Sequence, residues 1–202
     1  MEEKEKIISF SKDKFLSEGF YKITMDEIAN GLRMSKKTIY KYFISKDILV
    51  EAAVKLFQSI MQSKIDSIIK SDSNSIIKIK KLTNMFAEIS LKVNSKMMND
   101  LQTHRPDLWQ DIEEFRTRNI EKLWKNIFDQ GKKEGYIIDY PSEIMVQVII
   151  SAMQGIINPN FLINHNLSIK DAFEITFGML INGVLTESGK KIYIKTLKEN
   201  KE

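Results

Sequence analysis

The chain has 202 residues, of which 43% are hydrophobic and 29% are charged, a composition typical of globular proteins that bury a sizeable core. It contains no cysteine, which excludes disulfides, thiolate zinc sites and thiol redox sensing. The formal net charge of +4 is too small to identify a nucleic-acid partner by itself.

The overall pattern predicts a helical protein without a membrane segment. The N-terminus mixes charged side chains with few apolar ones, so we expect no signal peptide. No apolar run approaches the ~18 residues that a membrane-spanning helix needs. We therefore expect a cytoplasmic protein. Apolar residues recur at helical spacing and strand signals are almost absent, which predicts an all-α fold with no β-sheet.

Three short helices are predicted at the start of the chain. The first covers residues 3–18. Thr24 and Glu27 form a T-x-x-E capping box that begins the second helix. Ser35 caps the third, which runs from Lys36 to Phe43. Two short helices joined by a tight connection predict a helix-turn-helix.

The net positive charge of the head is concentrated in this motif. Residues 28–46 contain five Lys or Arg and no acid, one more positive charge than the net charge of the whole chain. A solvated helix face is the alternative to a DNA contact. In a helix-turn-helix, however, the N-terminal residues of the second helix contact base edges in the major groove. Here they are Lys36, Lys37 and Thr38; lysine can donate to guanine, and the threonine methyl can contact thymine.

The run SKKTIYKYFISKD, with the residues before it, resembles the DNA-binding head of the TetR family of bacterial transcriptional regulators over about residues 7–50. The resemblance places base reading at Lys36 and Lys37, and core positions at Ile39 and Phe43. It implies phosphate contacts for a further set of residues: Thr24, Thr38, Tyr40, Tyr42 and Lys46.

Two residues depart from the family pattern. Arg33 stands in the inter-helix turn where glycine is usual, and a positive φ is uncommon for a residue with a side chain. Lys14 stands in the first helix where leucine is usual. Neither belongs to the third helix, so the DNA-reading assignment is unaffected.

The rest of the chain predicts a helical body. A long fourth helix is expected from Lys46 to Ile69, and a last long helix over residues 169–187, followed by a solvated lysine-rich end. The family resemblance implies about nine helices in all. We expect a DNA-binding domain at residues 1–50 and an effector-binding and dimerisation domain at residues 51–202.

Two body segments, residues 145–157 and 172–185, are apolar on more than one face. Such helices are buried on both sides, by their own core and by a partner. The family resemblance implies that they pair with their copies in a homodimer. A monomer core is the alternative.

The sequence offers little support for an enzyme. It holds two histidines, His104 and His165, and no nucleophile elbow, P-loop or dinucleotide-binding motif. We expect no metal and no cofactor. The resemblance implies a small-molecule effector in the body, where aromatic and methionine side chains suit an apolar or amphipathic ligand but also fill ordinary cores. The candidates are Phe86, Met97, Met98, Trp109, Phe115, Met153 and Phe161.

These observations favour a homodimeric repressor that a small molecule releases from a palindromic operator in double-stranded DNA. Two other readings stay open. One is a helical adaptor that uses its head for protein contact, and the other is an activator or a nonspecific DNA binder without effector control.

Overall fold

The computed structural model describes residues 2–198. This part of the chain contains eleven helices and one isolated antiparallel bridge between Ile137 and Leu185, but no strand. The all-α prediction is confirmed. The helices are α1 (Glu3–Glu18), α2 (Met25–Leu32), α3 (Lys36–Tyr42), α4 (Lys46–Lys70), α5 (Ser75–Lys92), α6 (Ser95–His104), α7 (Pro106–Lys133), α8 (Ser142–Ile156), α9 (Pro159–Asn164), α10 (Ile169–Val184) and α11 (Glu187–Lys198).

Two short helices were not expected. One is α9, which begins where the Asn158 side-chain oxygen accepts a hydrogen bond from the Phe161 N–H (2.9 Å). The predicted last helix ends at Val184 instead of residue 187, and the lysine-rich end forms α11 up to Lys198. Tyr193 on α11 is only 7% exposed, so this helix is packed where a solvated end was expected. The final residues, 199–202, lie outside the described part of the chain.

The chain divides into two compact units. The first consists of residues up to Met61 together with Lys92–Glu113, and the second of Gln62–Leu91 together with the chain from Glu114 onward. The division groups α6 and the start of α7 with the three N-terminal helices. The boundary expected at residue 50 concerns function and stays a prediction. Within residues 2–198, no helix is both long enough and apolar enough to cross a lipid bilayer.

The first unit is built around a continuous apolar cluster. Ile39 and Phe43, expected in the core, are 0% and 2% exposed. They pack in one cluster with residues of α1, α2, α4, α6 and α7. Burial of each such side chain contributes roughly 1.5–3 kcal/mol, so this shared core fixes α3 to the unit. Its members with no exposed surface are Ile7, Phe15, Ile28, Ile39, Leu49 and Val50.

Capping residues set the starts of the helices that carry the candidate site. Thr24 accepts from the Glu27 N–H (3.1 Å), and the Glu27 carboxylate accepts from the Thr24 N–H (3.2 Å), which confirms the capping box. Ser35 accepts from the Thr38 N–H at 3.0 Å. Each cap satisfies an amide that the helix leaves unpaired, so the two closely spaced helices α2 and α3 begin at defined residues.

The second unit contains an aromatic-rich core. The Trp124 ring lies 5.4 Å from the Phe128 ring and 5.5 Å from the Phe177 ring, and Phe173 stacks on Phe177 at 5.2 Å. These rings come from α7 and α10 and belong to one apolar cluster with residues of α4, α5 and α8. The cluster gives the second unit a core of its own.

A polar network lies beside this core. One carboxylate oxygen of Glu134 accepts from the backbone N–H and the hydroxyl of Ser75, at 2.8 Å and 2.5 Å. Its other oxygen accepts from the Gln130 side chain at 2.7 Å. The buried ammonium of Lys78 donates to Gln130 and to the carbonyl of Ile69, both at 2.9 Å. These bonds join the ends of α4, α5 and α7.

Candidate nucleic-acid interface

The turn between α2 and α3 is closed by a residue in the left-handed conformation. Arg33 has φ 54° and ψ 38°, and its N–H donates to the carbonyls of Ala29 and Asn30 at the end of α2. The next N–H, of Met34, donates to Ala29 at 2.9 Å. The positive φ that the family pattern implied at this position is therefore present, although the residue is not glycine.

Helix α3 separates an apolar inner face from a basic outer face. Ile39 is fully buried, whereas Lys36, Lys37 and Tyr40 are exposed and Thr38 is partly buried. The Thr38 hydroxyl lies 2.8 Å from that of Ser35. The first turn of α3 thus presents two lysine side chains outward, where a helix-turn-helix protein places the residues that contact bases.

Lys36 is paired with an acid of α2. Its ammonium lies 2.8 Å and 3.0 Å from the two carboxylate oxygens of Asp26. The hydrogen bond to Asp26, together with its charge, raises the pKa of Lys36 above the ordinary value. The same ammonium lies 5.9 Å from the centre of the Tyr40 ring. Lys37 forms no ion pair among the described residues.

Tyr42 is also paired with an acid. Its hydroxyl donates to the carboxylate of Glu3 on α1 at 2.8 Å, and this bond raises the pKa of Tyr42. The Lys41 ammonium lies 5.2 Å from the centre of the Tyr42 ring. A phosphate contact by the Tyr42 hydroxyl therefore requires that its bond to Glu3 be given up or shared.

The two remaining phosphate candidates differ in their surroundings. Thr24 is exposed at the start of α2. The ammonium of Lys46, by contrast, donates to three backbone carbonyls of the α1–α2 link (residues 19–24), at distances of 2.7–3.2 Å. The three acceptors are Phe20, Tyr21 and Ile23.

Sequence reasoning did not identify Asp26 and Glu3 as parts of this surface. Asp26 lies just before the acid-free segment, and Glu3 lies in another helix, 39 positions before Tyr42. No spacing rule pairs them with α3, because only the packing of the helices brings them there. The surface is therefore less positive than residues 28–46 alone indicate.

The candidate ligand-binding residues do not form a single cluster. Phe86 and Met153 pack in the core of the second unit, where the Phe86 ring lies 5.2 Å from Phe173. Met97 and Trp109 pack in the core of the first unit, and Met98 is 8% exposed. Phe115 is partly buried, and Phe161 is partly buried and stacks on His165 at 4.2 Å.

The histidines show no arrangement for catalysis or metal binding. His104 stacks on Tyr21 with ring centres 3.7 Å apart, and His165 stacks on Phe161. Within the described chain, no group of three His, Asp or Glu side chains is placed to hold a metal ion.

Helices α8 and α10 expose an apolar surface, which we call the α8/α10 face: Ile144 and Val148 on α8, and Ile175 and Met179 on α10. These side chains are 62%, 49%, 58% and 73% exposed, respectively, and each pair is four residues apart on one side of its helix. A Cβ atom added at any of the three glycines of α8 and α10 would meet nothing within 4 Å, which leaves room for close approach. These glycines are Gly155, Gly178 and Gly183.

The comparison with known proteins agrees with this geometry. Residues 7–57 match the model of bacterial regulatory proteins of the tetR family. A regulator from Bacillus subtilis strain 168, YvaF, named an uncharacterized HTH-type transcriptional regulator, is 24% identical over 171 residues. The match covers 83% of this chain and 88% of that protein.

Solved structures share the fold over most of the chain. A TetR-family regulator from Marinobacter aquaeolei superposes with a TM-score of 0.72, 19% identity and 98% coverage of both chains. A putative transcriptional regulator from Saccharomonospora viridis, solved in complex with choline, gives a TM-score of 0.70 at 12% identity. That match covers 91% of this chain and 98% of the other.

The segment that matches the family model contains the whole α2–turn–α3 motif. The Bacillus subtilis relative is named a transcriptional regulator as well, and with the family match this confirms the prediction that the chain is not an enzyme. Residues 7–57 therefore form a DNA-binding segment of the TetR family of bacterial regulatory proteins, and the prediction of a DNA-binding transcriptional regulator is confirmed.

Proposed function

We propose that the protein is a homodimeric repressor that binds a palindromic operator through α3 and is released by a small apolar or amphipathic ligand. The observation that carries the DNA-binding part is the outer face of α3. There, Lys36 and Lys37 stand at the start of a helix that Ser35 caps and Ile39 anchors. Its place of action would be the cytoplasm, where bacterial DNA is found.

The α8/α10 face supports the homodimer. Four large apolar side chains exposed on two adjacent helices exceed the scattered single residues that are normal on a monomer surface. A twofold interface would cover this face with its own copy. Two heads related by twofold symmetry would then contact half-sites about 34–36 Å apart, which predicts a palindromic site.

The core of the second unit supports the ligand. Phe86, Phe173 and Met153 lie in a cluster of rings and flexible side chains of the kind that lines adaptable apolar pockets. A ligand that fits one arrangement of the body better than another would shift the population of dimers away from the DNA-binding spacing. Choline, bound by the Saccharomonospora viridis protein, is one probe to include in a screen.

Selection from a pool of random duplexes, followed by fluorescence anisotropy, tests the function. We expect the wild-type protein to recover one palindromic consensus. The double variant Lys36→Ala/Lys37→Ala should lose it, since both base-reading lysines are removed. The matched control is Lys190→Ala/Lys191→Ala, which removes the same charge from neighbouring lysines on α11 and should keep the consensus.

Two outcomes would contradict the proposal. A wild-type protein that binds all duplexes alike would be a nonspecific DNA binder. A wild-type protein that binds none, even at low salt, would favour the adaptor reading of the head. Transcription with purified polymerase on the selected site then distinguishes a repressor from an activator.

A further inference from the structure

The side chain of Lys46, at the start of α4, is hydrogen-bonded to the α1–α2 link. Its ammonium donates to the carbonyls of Phe20 (3.2 Å), Tyr21 (2.7 Å) and Ile23 (3.1 Å). The Phe20 carbonyl also accepts the N–H of Ile23 (3.2 Å), so the link forms a turn with its carbonyls gathered around one cation. Phe20 and Ile23 are 2% and 4% exposed, whereas Tyr21 is 55% exposed, so the turn is buried on one side and open to solvent on the other.

These contacts use the full hydrogen-bonding capacity of the side chain. An ammonium carries three N–H donors, and here three carbonyl acceptors lie within hydrogen-bond distance. Lys46 is also the first residue of α4, where the helix dipole disfavours a positive charge. The three carbonyls offset this unfavourable position, which indicates that the Lys46 ammonium stabilises the α1–α2 link.

We propose that Lys46 is a positioning residue that fixes the link ahead of Thr24, and not a ligand of the DNA phosphate. Ile23 immediately precedes Thr24, whose side chain caps α2 and faces the solvent. A fixed link therefore sets the place and direction of the α2 N-terminus against the DNA backbone. This inference rests on the proposed DNA contact of α2 and α3.

The opposite side of the link is held by α6. The Asp100 carboxylate accepts from the Tyr21 N–H at 2.9 Å, and the Tyr21 ring stacks on His104. Gly19 has φ 80°, and a Cβ atom there would lie 2.5 Å from the Asp100 carboxylate, so only glycine fits. With the link tied to α6 on one side, Lys46 supplies its second attachment, from α4.

The first test compares Lys46→Met with Lys37→Met, since each removes one positive charge from the head. Lys46→Met should lower the Tm of the free protein by about 4 °C or more, because three carbonyls lose a charged donor. The slope of log affinity against log salt should stay nearly unchanged. Lys37→Met should leave the Tm unchanged and reduce the slope by up to about 0.9, the value for one positive charge that displaces a counterion from the DNA.

The second test asks whether Lys46 acts through Thr24. Thr24→Val should weaken binding to the selected duplex about tenfold in the wild-type background, but less than about twofold in Lys46→Met, measured where both variants are folded. If the affinity loss of the double variant equals the product of the losses of Thr24→Val and Lys46→Met, the two residues act independently and the positioning role is overturned. An unchanged affinity of the folded Lys46→Met protein would overturn it as well. A slope reduced as much as in Lys37→Met would identify Lys46 as a phosphate ligand.

A measurement on the wild-type protein covers the case in which Lys46→Met does not fold. In NMR spectra of ¹⁵N-labelled protein, the side-chain ammonium signal of Lys46 should show slow hydrogen exchange with water. Addition of DNA should leave the position of this signal unchanged and should shift the Lys37 signal. A Lys46 signal that exchanges as fast as those of exposed lysines, or that shifts with DNA as Lys37 does, would overturn the assignment. The spectrum and the Tm of the free protein do not depend on DNA binding, so they test the role of Lys46 separately. Failure of the proposed DNA-binding function would be seen instead as a wild-type protein that selects no consensus site.

Discussion

The carboxylate of Asp26 lies 2.8 Å from the ammonium of Lys36, so an acid of α2 forms an ion pair with the lysine that is expected to contact bases. Both side chains are more than half exposed, so the pair contributes little to stability. Its importance lies instead in the charge it brings close to DNA. Any duplex that Lys36 contacts must also accommodate the carboxylate of Asp26.

We predict that Asp26→Asn strengthens DNA binding. The change frees the Lys36 ammonium and removes a negative charge that repels phosphates. Affinity for specific and nonspecific duplexes should rise about two- to fivefold at low salt, and less at high salt, where charge is screened. Fluorescence anisotropy over a salt series measures both effects.

The matched control for this prediction is Glu18→Gln. It breaks the Lys14–Glu18 pair, an exposed ion pair of similar length (2.9 Å) at the end of α1. The affinity of this variant should equal that of the wild type. If Asp26→Asn bound DNA no better than Glu18→Gln, the ion pair would have no role at the interface.

We predict that Arg33→Gly stabilises the protein. Arg33 holds φ 54° at the end of α2, a conformation that costs a residue with a Cβ atom about 1 kcal/mol more than glycine. The greater freedom of glycine in the unfolded chain offsets part of this gain. The Tm should rise by about 1–3 °C, measured by thermal unfolding.

Arg33→Ala separates the backbone effect from the loss of charge. Alanine keeps the unfavourable φ and removes the same guanidinium, so its Tm should not rise. Equal Tm values for the glycine and alanine variants would show that the turn carries no strain that glycine relieves.

Local rules were sufficient to predict the head from its sequence. The Thr24–Glu27 capping box and the Ser35 cap involve residues three apart, and the burial of Ile39 and Phe43 follows helical spacing. The fold class and the main helices follow from the same periodicity.

Partners from distant segments could not be predicted in this way. The acids that pair with Lys36 and Tyr42 lie ten and 39 positions away, and the three acceptors of Lys46 are backbone carbonyls, which have no sequence signature. The candidate ligand residues, chosen by type alone, divide between two cores because aromatic and methionine side chains fill cores as readily as pockets.

We predict that Met179→Arg prevents dimerisation. Met179 is 73% exposed in the single chain and lies on the α8/α10 face. In a twofold interface, two unpaired guanidinium groups would be buried, at a cost of roughly 3–5 kcal/mol each. Sedimentation should show a monomer, and affinity for the palindrome should fall at least about 100-fold.

The control for the dimer prediction is Leu91→Arg. Leu91 is equally exposed at 73%, but it lies on α5, outside the α8/α10 face. This variant should remain a dimer. If the Met179→Arg protein is still a dimer, the dimer interface lies on a surface other than the α8/α10 face.

We predict that Glu134→Ala destabilises the second unit. Its carboxylate accepts two hydrogen bonds from Ser75, which has no exposed surface, and a third from Gln130. Alanine leaves the Ser75 hydroxyl and amide without this acceptor, which costs about 1–3 kcal/mol. Urea unfolding followed by the fluorescence of Trp124, in a Trp109→Phe background, reports on this unit.

Glu88→Ala is the control, because it removes an acid whose 3.3 Å pair with Lys64 is exposed and contributes little. Equal stability of the two variants would show that the network of Glu134 does not hold the ends of α5 and α7 together.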